Sequence, residues 1–157
     1  EPLGSLDRYL RERLIDELPD VLGATGTAAI HVTHDHDEAF AIGDRLAVMH
    51  AGKVLQVGSP GEVWAAPTSI TVARVLGHTN EIIDGVTKVV WRADAMTIDP
   101  SGPHQAMVDR VHFRGVDHDV RLRTHDGRML RFLLDDPPAA GNDVRFSIDP
   151  ARVLRFD

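Results

Sequence analysis

From about residue 80 onward the chain is a series of short apolar runs closed by turn-forming residues, and this pattern leaves few folds open. The runs are Ile82 to Val90, Ala95 to Ile98, Gln105 to Phe113, Asp119 to Arg123, Met129 to Leu134 and Asp143 to Ile148. Asp126-Gly127, Asp136-Pro137-Pro138 and Gly141-Asn142 lie between them, residue types that accept a positive φ or preset a turn. Val120 and Leu122 alternate with Arg121 and Arg123, the period of two of a strand with one face on a core. Even spacing of short strands predicts a small all-β barrel or sandwich.

The first 80 residues follow other periods. Leu10, Leu14, Ile15, Leu18 and Leu22 recur at helical spacing behind Asp7, a good N-cap, and predict an amphipathic helix over residues 8 to 22. Pro19 should kink or shorten its last turn before Gly23 and Gly26 release the chain. Ala28 to Thr33 is short, apolar and partly β-branched, as a strand buried in a parallel sheet would be. Asp35 should cap a helix through Ala39 to Ile42, closed by Gly43. Residues 45 to 50 and 53 to 57 flank Ala51-Gly52 as two strands of a hairpin. Ser59, Pro60 and Glu62 form a capping-box start to another helix. Pro67-Thr68-Ser69 interrupts that helix, which restarts towards Leu76 and Gly77. The expected organisation is the tail of an α/β domain over residues 1–79 and a small β domain over residues 80–157.

Composition narrows the partners. The formal net charge is −7, and residues 1–80 carry 6 basic against 11 acidic residues while residues 81–157 carry 11 against 13. Neither half offers the dense basic surface that phosphate backbones require, so nucleic acid is not an expected partner. There is no cysteine, hence no thiolate nucleophile and no cysteine zinc site. No apolar run is long enough for a membrane-spanning helix, so direct membrane insertion is not expected.

The residues that carry chemistry lie near the start. Glu1-Pro2-Leu3-Gly4-Ser5-Leu6-Asp7, followed by Val32-Thr33-His34-Asp35, resembles the ATPase subunits of ABC transporters. In that family a Walker B strand ends in Asp-Glu-Pro, a D-loop close to Ser-Ala-Leu-Asp follows, and a later strand ends in Thr-His-Asp. The resemblance continues through Asp44 to Met49, Ala51-Gly52-Lys53, Gln56 to Pro60 and Val75-Leu76-Gly77, about half the chain in unbroken order. It implies that Glu1 is the carboxylate that polarises the attacking water, and that His34 hydrogen-bonds the γ-phosphate as charge builds up there. It also implies that Asp7 lies in the D-loop, at the interface with a second ATPase subunit.

Residues 81–157 are similar to the transport-associated OB-type domain that follows the ATPase core in importers for ferric ion, sulfate, molybdate, thiamine, polyamines and sugars. Val108 to Gly115, Asp117 to Arg123, Asp126-Gly127 and Val144 to Pro150 carry this second likeness. The implied fold class is α/β, the C-terminal part of a P-loop ABC ATPase domain, followed by a small all-β OB-like barrel. The implied function is energy coupling in a prokaryotic importer, with ATP and Mg2+ used by the longer parent. The implied partners are a second copy and transmembrane permease subunits, at the cytoplasmic face of the membrane.

Several features cut against activity of this chain alone. It begins at Glu1 rather than methionine, which suggests an incomplete reading frame. No Gly-x-x-x-x-Gly-Lys-Ser/Thr cradle occurs, since the only Gly-Lys, Gly52-Lys53, precedes Val54 in the hairpin; the glutamine loop and signature motif are absent too. The isolated chain is therefore expected not to hydrolyse ATP, and residues 1–80 should expose apolar surface around Leu10, Leu14 and Val32. Taken singly, Asp7 is also an ordinary helix cap and His34 an ordinary strand-end histidine. Two other readings exist: a non-enzymatic regulatory module derived from such a subunit, and a zinc hydrolase. Thr33-His34-Asp35-His36 is similar to the metal motif of metallo-β-lactamase-like enzymes, but Glu38 and Ala39 stand where that pattern needs Asp and His. The histidines outside this stretch, from His50 to His125, read as scattered and solvent-facing.

Overall fold

The computed structural model describes residues 3–84 and 86–157, which form two compact units meeting inside one short helix, between Val72 and Ala73. Glu1 lies outside the described residues.

In the first unit Asp7 accepts the Leu10 N–H at 3.0 Å and starts α1, Arg8–Thr25. The helix does not stop near residue 22. Pro19 forfeits one backbone hydrogen bond, yet the helix continues through Gly23 and closes at Gly26, whose φ of 62° supplies a left-handed cap. The Thr27 N–H reaches back to the Leu22 carbonyl in a Schellman closure.

The strand expected over Ala28 to Thr33 is not formed. No described strand pairs with this stretch, and without a ladder its apolar side chains have nothing to face. Ile30 is 95% exposed and Val32 66%. Order resumes at Asp35, whose carboxylate accepts the Asp37 and Glu38 N–H groups and begins α2, His36–Ile42.

Strands β1, Leu46–His50, and β2, Lys53–Gly58, then pair antiparallel. Both turn residues have positive φ, 47° at Ala51 and 75° at Gly52, as a tight hairpin turn matched to strand twist requires. Ser59 and Glu62 close a reciprocal capping box on α3, Pro60–Ala65. Gln56 then holds the break before the next helix by accepting the Thr68 N–H and donating to the Ala66 carbonyl. Helix α4, Ile70–Val75, carries the boundary between the units.

The second unit is all-β apart from the end of α4 and two single-turn helices. Its strands are β3 (Asn80–Asp84), β4 (Thr87–Trp91), β5 (Met96–Ile98), β6 (His104–Phe113), β7 (His118–Thr124), β8 (Met129–Leu134), β9 (Asp143–Ile148) and β10 (Val153–Phe156). They form a three-stranded sheet, β10-β4-β3, and a five-stranded sheet, β5-β9-β6-β7-β8, antiparallel throughout. The run expected over Ile82 to Val90 is thus two paired strands, with Asp84 opposite Thr87. A further strand, β10, lies beyond the last of the expected runs and pairs with β4.

The alternation on β7 holds: Val120 and Leu122 are fully buried while Arg121 and Arg123 face out. They pack with Trp91, Val108, Phe132 and Phe146, the last two in an edge-to-face pair 5.2 Å apart. Gly102 lies so close to the Phe146 backbone that a Cβ would come within 2.4 Å of it, which excludes any side chain there. His78 departs from the expectation of solvent-facing histidines. It is 7% exposed, and burial followed by the nearby Arg92 charge pushes its imidazole below the ordinary histidine value.

Candidate functional site

Among the described residues of the first unit one carboxylate is buried, Glu38, only 3% exposed, and the polar groups around the Thr-His-Asp segment converge on it. It sits in the first turn of α2, where the helix N-terminus favours negative charge. Its Oε2 accepts the Thr33 hydroxyl at 2.7 Å and lies 3.2 Å from His31 Nε2. Its Oε1 lies 3.8 Å from Arg11 Nε on α1, close enough for an ion pair and too far for a hydrogen bond. Hydrogen bonds together with a nearby guanidinium offset the cost of burying a carboxylate this deeply.

Two further bonds extend this cluster. Thr33 Oγ1 also accepts the Asp35 N–H at 3.0 Å, so the residues on either side of His34 are tied to each other and to Glu38. Arg11 Nη2 donates to the Gly4 carbonyl at 3.3 Å, in the turn where the Leu6 N–H meets the Leu3 carbonyl. Gly4, Arg11, Thr33, His34, Asp35 and Glu38 line one cavity of about 80 Å³. That volume admits a few waters.

Of the residues singled out from sequence, His34 is an exposed side chain at the wall of this cavity. Asp7 is exposed, its carboxylate engaged as the cap of α1, and it is not among the lining residues. Glu1 lies outside the described residues. Sequence reasoning passed over Arg11 and weighed Glu38 only against a metal motif. The available signal was a carboxylate in the first turn of a predicted helix and an arginine four residues after a cap, too common a pair to point at each other. Among the described residues no three His, Asp or Glu side chains come together in a way that would hold a metal, and His31 and His36 do not join His34 in such a group. No described helix is long and apolar enough to cross a membrane.

Comparison with known proteins finds similar sequences over both units. The TOBE domain family matches residues 89–156, the greater part of the all-β unit, which makes that unit an OB-like half-barrel. The chain is 54% identical over 128 residues to the Fe(3+) ions import ATP-binding protein FbpC of Streptomyces coelicolor, covering 78% of this chain and 37% of that protein. It is 34% identical over 144 residues to the putrescine transport ATP-binding protein PotG of Escherichia coli, covering 90% of this chain and 37% of that protein. It is 32% identical over 150 residues to the sulfate/thiosulfate import ATP-binding protein CysA of Caulobacter vibrioides, covering 83% of this chain and 44% of that protein. The chain therefore spans well under half the length of these relatives. These matches extend over both units of the fold: over most of its length the chain is similar to ATP-binding subunits of importers, and residues 89–156 match the TOBE domain family.

Proposed function

We propose that this chain belongs to the energy-coupling ATPase subunit of a prokaryotic ABC importer, in which ATP hydrolysis drives solute uptake. The observation that carries the reading is the similarity, reaching 54% identity over 128 residues, to importer ATP-binding proteins. On this reading residues 1–79 are the C-terminal part of a P-loop α/β domain and residues 80–157 its OB-like appendage. Glu1 polarises the attacking water, and His34 donates a hydrogen bond to the γ-phosphate as negative charge grows there. Asp7 faces a second ATPase subunit across the dimer interface.

The residues present fit one end of the substrate only. A phosphate cradle is missing from the sequence. ATP and Mg2+ are therefore assigned to the longer protein, and no step is routed through the metal by this chain. Permease subunits and a second copy are the proposed partners, with the assembly peripheral on the cytoplasmic face. The three relatives are named for ferric ion, putrescine and sulfate or thiosulfate, so similarity of this segment does not choose the solute, which this reading leaves to the permease and its binding protein.

The test is a chimera that joins this chain to the remainder of the Streptomyces coelicolor relative, assayed for ATP binding and hydrolysis. Hydrolysis is expected, and His34→Ala should lower kcat by about 100-fold, the size seen when one transition-state donor is removed. A chimera that binds ATP and hydrolyses it equally well with His34→Ala would remove His34 from the mechanism. One that binds ATP without hydrolysing it favours the non-enzymatic module.

A further inference from the structure

We propose that Arg11 and Glu38 are positioning residues that lock the Gly4–Asp7 turn to the Thr33–Asp35 segment, so that the turn and the His34 imidazole change position together. The coupling rests on geometry alone; its consequence for catalysis rests on the ATPase reading above.

The path is short and continuous. The Gly4 carbonyl accepts from Arg11 Nη2, Arg11 Nε faces Glu38 Oε1, Glu38 Oε2 accepts the Thr33 hydroxyl, and the same hydroxyl accepts the Asp35 N–H. His34 lies between the last two. Its backbone is thus held from both sides while its side chain is exposed at the cavity wall, the arrangement of a reactive group on a rigid support.

Burial makes the link stiff. Glu38 is 3% exposed, and turning its carboxylate away from Arg11, His31 and Thr33 would strip a buried charge of its partners. Arg11 is likewise committed at two points, since the guanidinium that faces Glu38 also donates to Gly4. The turn at Gly4 and the segment at Thr33 are far apart in sequence, and the Arg11–Glu38 pair joins them.

Amide hydrogen exchange on the full 157-residue chain tests the coupling without nucleotide. Glu38→Gln keeps an acceptor for Thr33 and removes the charge that holds Arg11. The Leu6 and Asp35 amides should then exchange about tenfold faster, while amides of the β1–β2 hairpin keep their rates. An unchanged Leu6 rate overturns the proposal. If Glu38→Gln accelerates the hairpin as well, Arg11→Met decides: joint acceleration at Leu6 and Asp35 supports the coupling, and Leu6 alone overturns it. Acceleration of the whole unit in both variants also overturns it, because the pair then serves stability only.

In the ATPase chimera, Glu38→Gln should lower kcat by about 10- to 100-fold with KM for ATP unchanged, as misplacement of a reacting group by about 1 Å does. Equal losses in kcat and in ATP affinity would instead mark a general disturbance and count against positioning. A chimera that is inactive without any substitution sinks the ATPase reading and leaves the exchange result standing on its own.

Discussion

Asn80 and Arg131 exchange two hydrogen bonds across the second unit: the Arg131 N–H donates to Asn80 Oδ1 at 2.6 Å, and Asn80 Nδ2 donates to the Arg131 carbonyl at 2.8 Å. The amide side chain thereby imitates a strand partner and joins β3, in the three-stranded sheet, to β8, the edge of the five-stranded one. Asn80 is 1% exposed, so a lost partner would not be replaced by water. Asn80→Ala should destabilise this unit by about 2–4 kcal/mol, because it orphans a buried N–H and a buried carbonyl together. Asn80→Asp should cost at least as much, since it opposes a carboxylate to the Arg131 carbonyl. Denaturant titration followed by Trp91 fluorescence, with Trp64 changed to Phe so that only this unit reports, gives the value.

The second prediction concerns pH. His78 is buried, and neither of its ring nitrogens has a hydrogen-bond partner among the described residues. Burial, then the charge on Arg92, lowers its folded-state pKa, while Asp94 opposes the shift. The unfolded chain therefore binds a proton here at a higher pH than the folded chain does. Stability contributed by neutral His78 is fully present above the ordinary value of about 6.5 and is lost as pH falls from there through the lowered folded value. His78→Phe should flatten thermal stability against pH across that window. A variant with the same slope as the parent would show that other groups set it.

How far the sequence foretold the structure depends on where each segment finds its partners. Local signals were sufficient for Asp35 and Gly43 around α2, for the Ser59–Glu62 capping box, and for β8 and β9, whose ends match the apolar runs. Each of these is decided within a few residues. Ala28 to Thr33 failed because a buried strand is made by its neighbours, and the pattern alone cannot say whether they are there. Ile82 to Val90 failed because two short apolar strands in succession look like one longer strand. Arg11 and Glu38 were invisible because their relation exists only after α1 folds back on α2. Asp7 shows the opposite case: the capping role was legible, and it accounts fully for the bond that Asp7 makes.

That bond gives a third prediction. Asp7→Ala should cost the first unit about 1 kcal/mol and speed exchange at the Leu10 amide, whereas Asp7→Asn, which keeps a capping oxygen, should change little. Because Asp7→Asn spares the cap, it isolates any further role. A loss of ATP hydrolysis in the chimera with normal α1 protection would assign Asp7 work beyond capping. Full activity would leave it a cap.

The hairpin offers a stabilising change. Ala51 holds a φ of 47°, the one non-glycine positive φ among the described residues. An alanine pays for that conformation in Cβ crowding, roughly 1 kcal/mol, which asparagine largely avoids. Ala51→Asn creates Asn-Gly, the favoured pair for this turn, and should raise the stability of the first unit by about 0.5–1 kcal/mol. Exchange protection of the β1 and β2 amides should rise with it.

Exposed apolar surface gives the last prediction. Ile30 and Val32 alternate along an extended stretch that pairs with no described strand, and both side chains are largely in water. Tyr9 and Val21 on α1 are also exposed, at 71% and 55%. Apolar side chains grouped in this way bind hydrophobic dyes and promote self-association. Ile30→Lys with Val32→Thr should reduce dye fluorescence and raise the concentration at which the chain stays monomeric, with little change in the unfolding midpoint, because the replaced groups bury almost nothing. In the chimera the same pair of substitutions should have the opposite effect and lower stability by several kcal/mol, at roughly 1.5–3 kcal/mol for each large apolar side chain that becomes buried. Equal, small effects in both settings would mean that this stretch remains outside the sheet even when the rest of the ATPase domain is supplied.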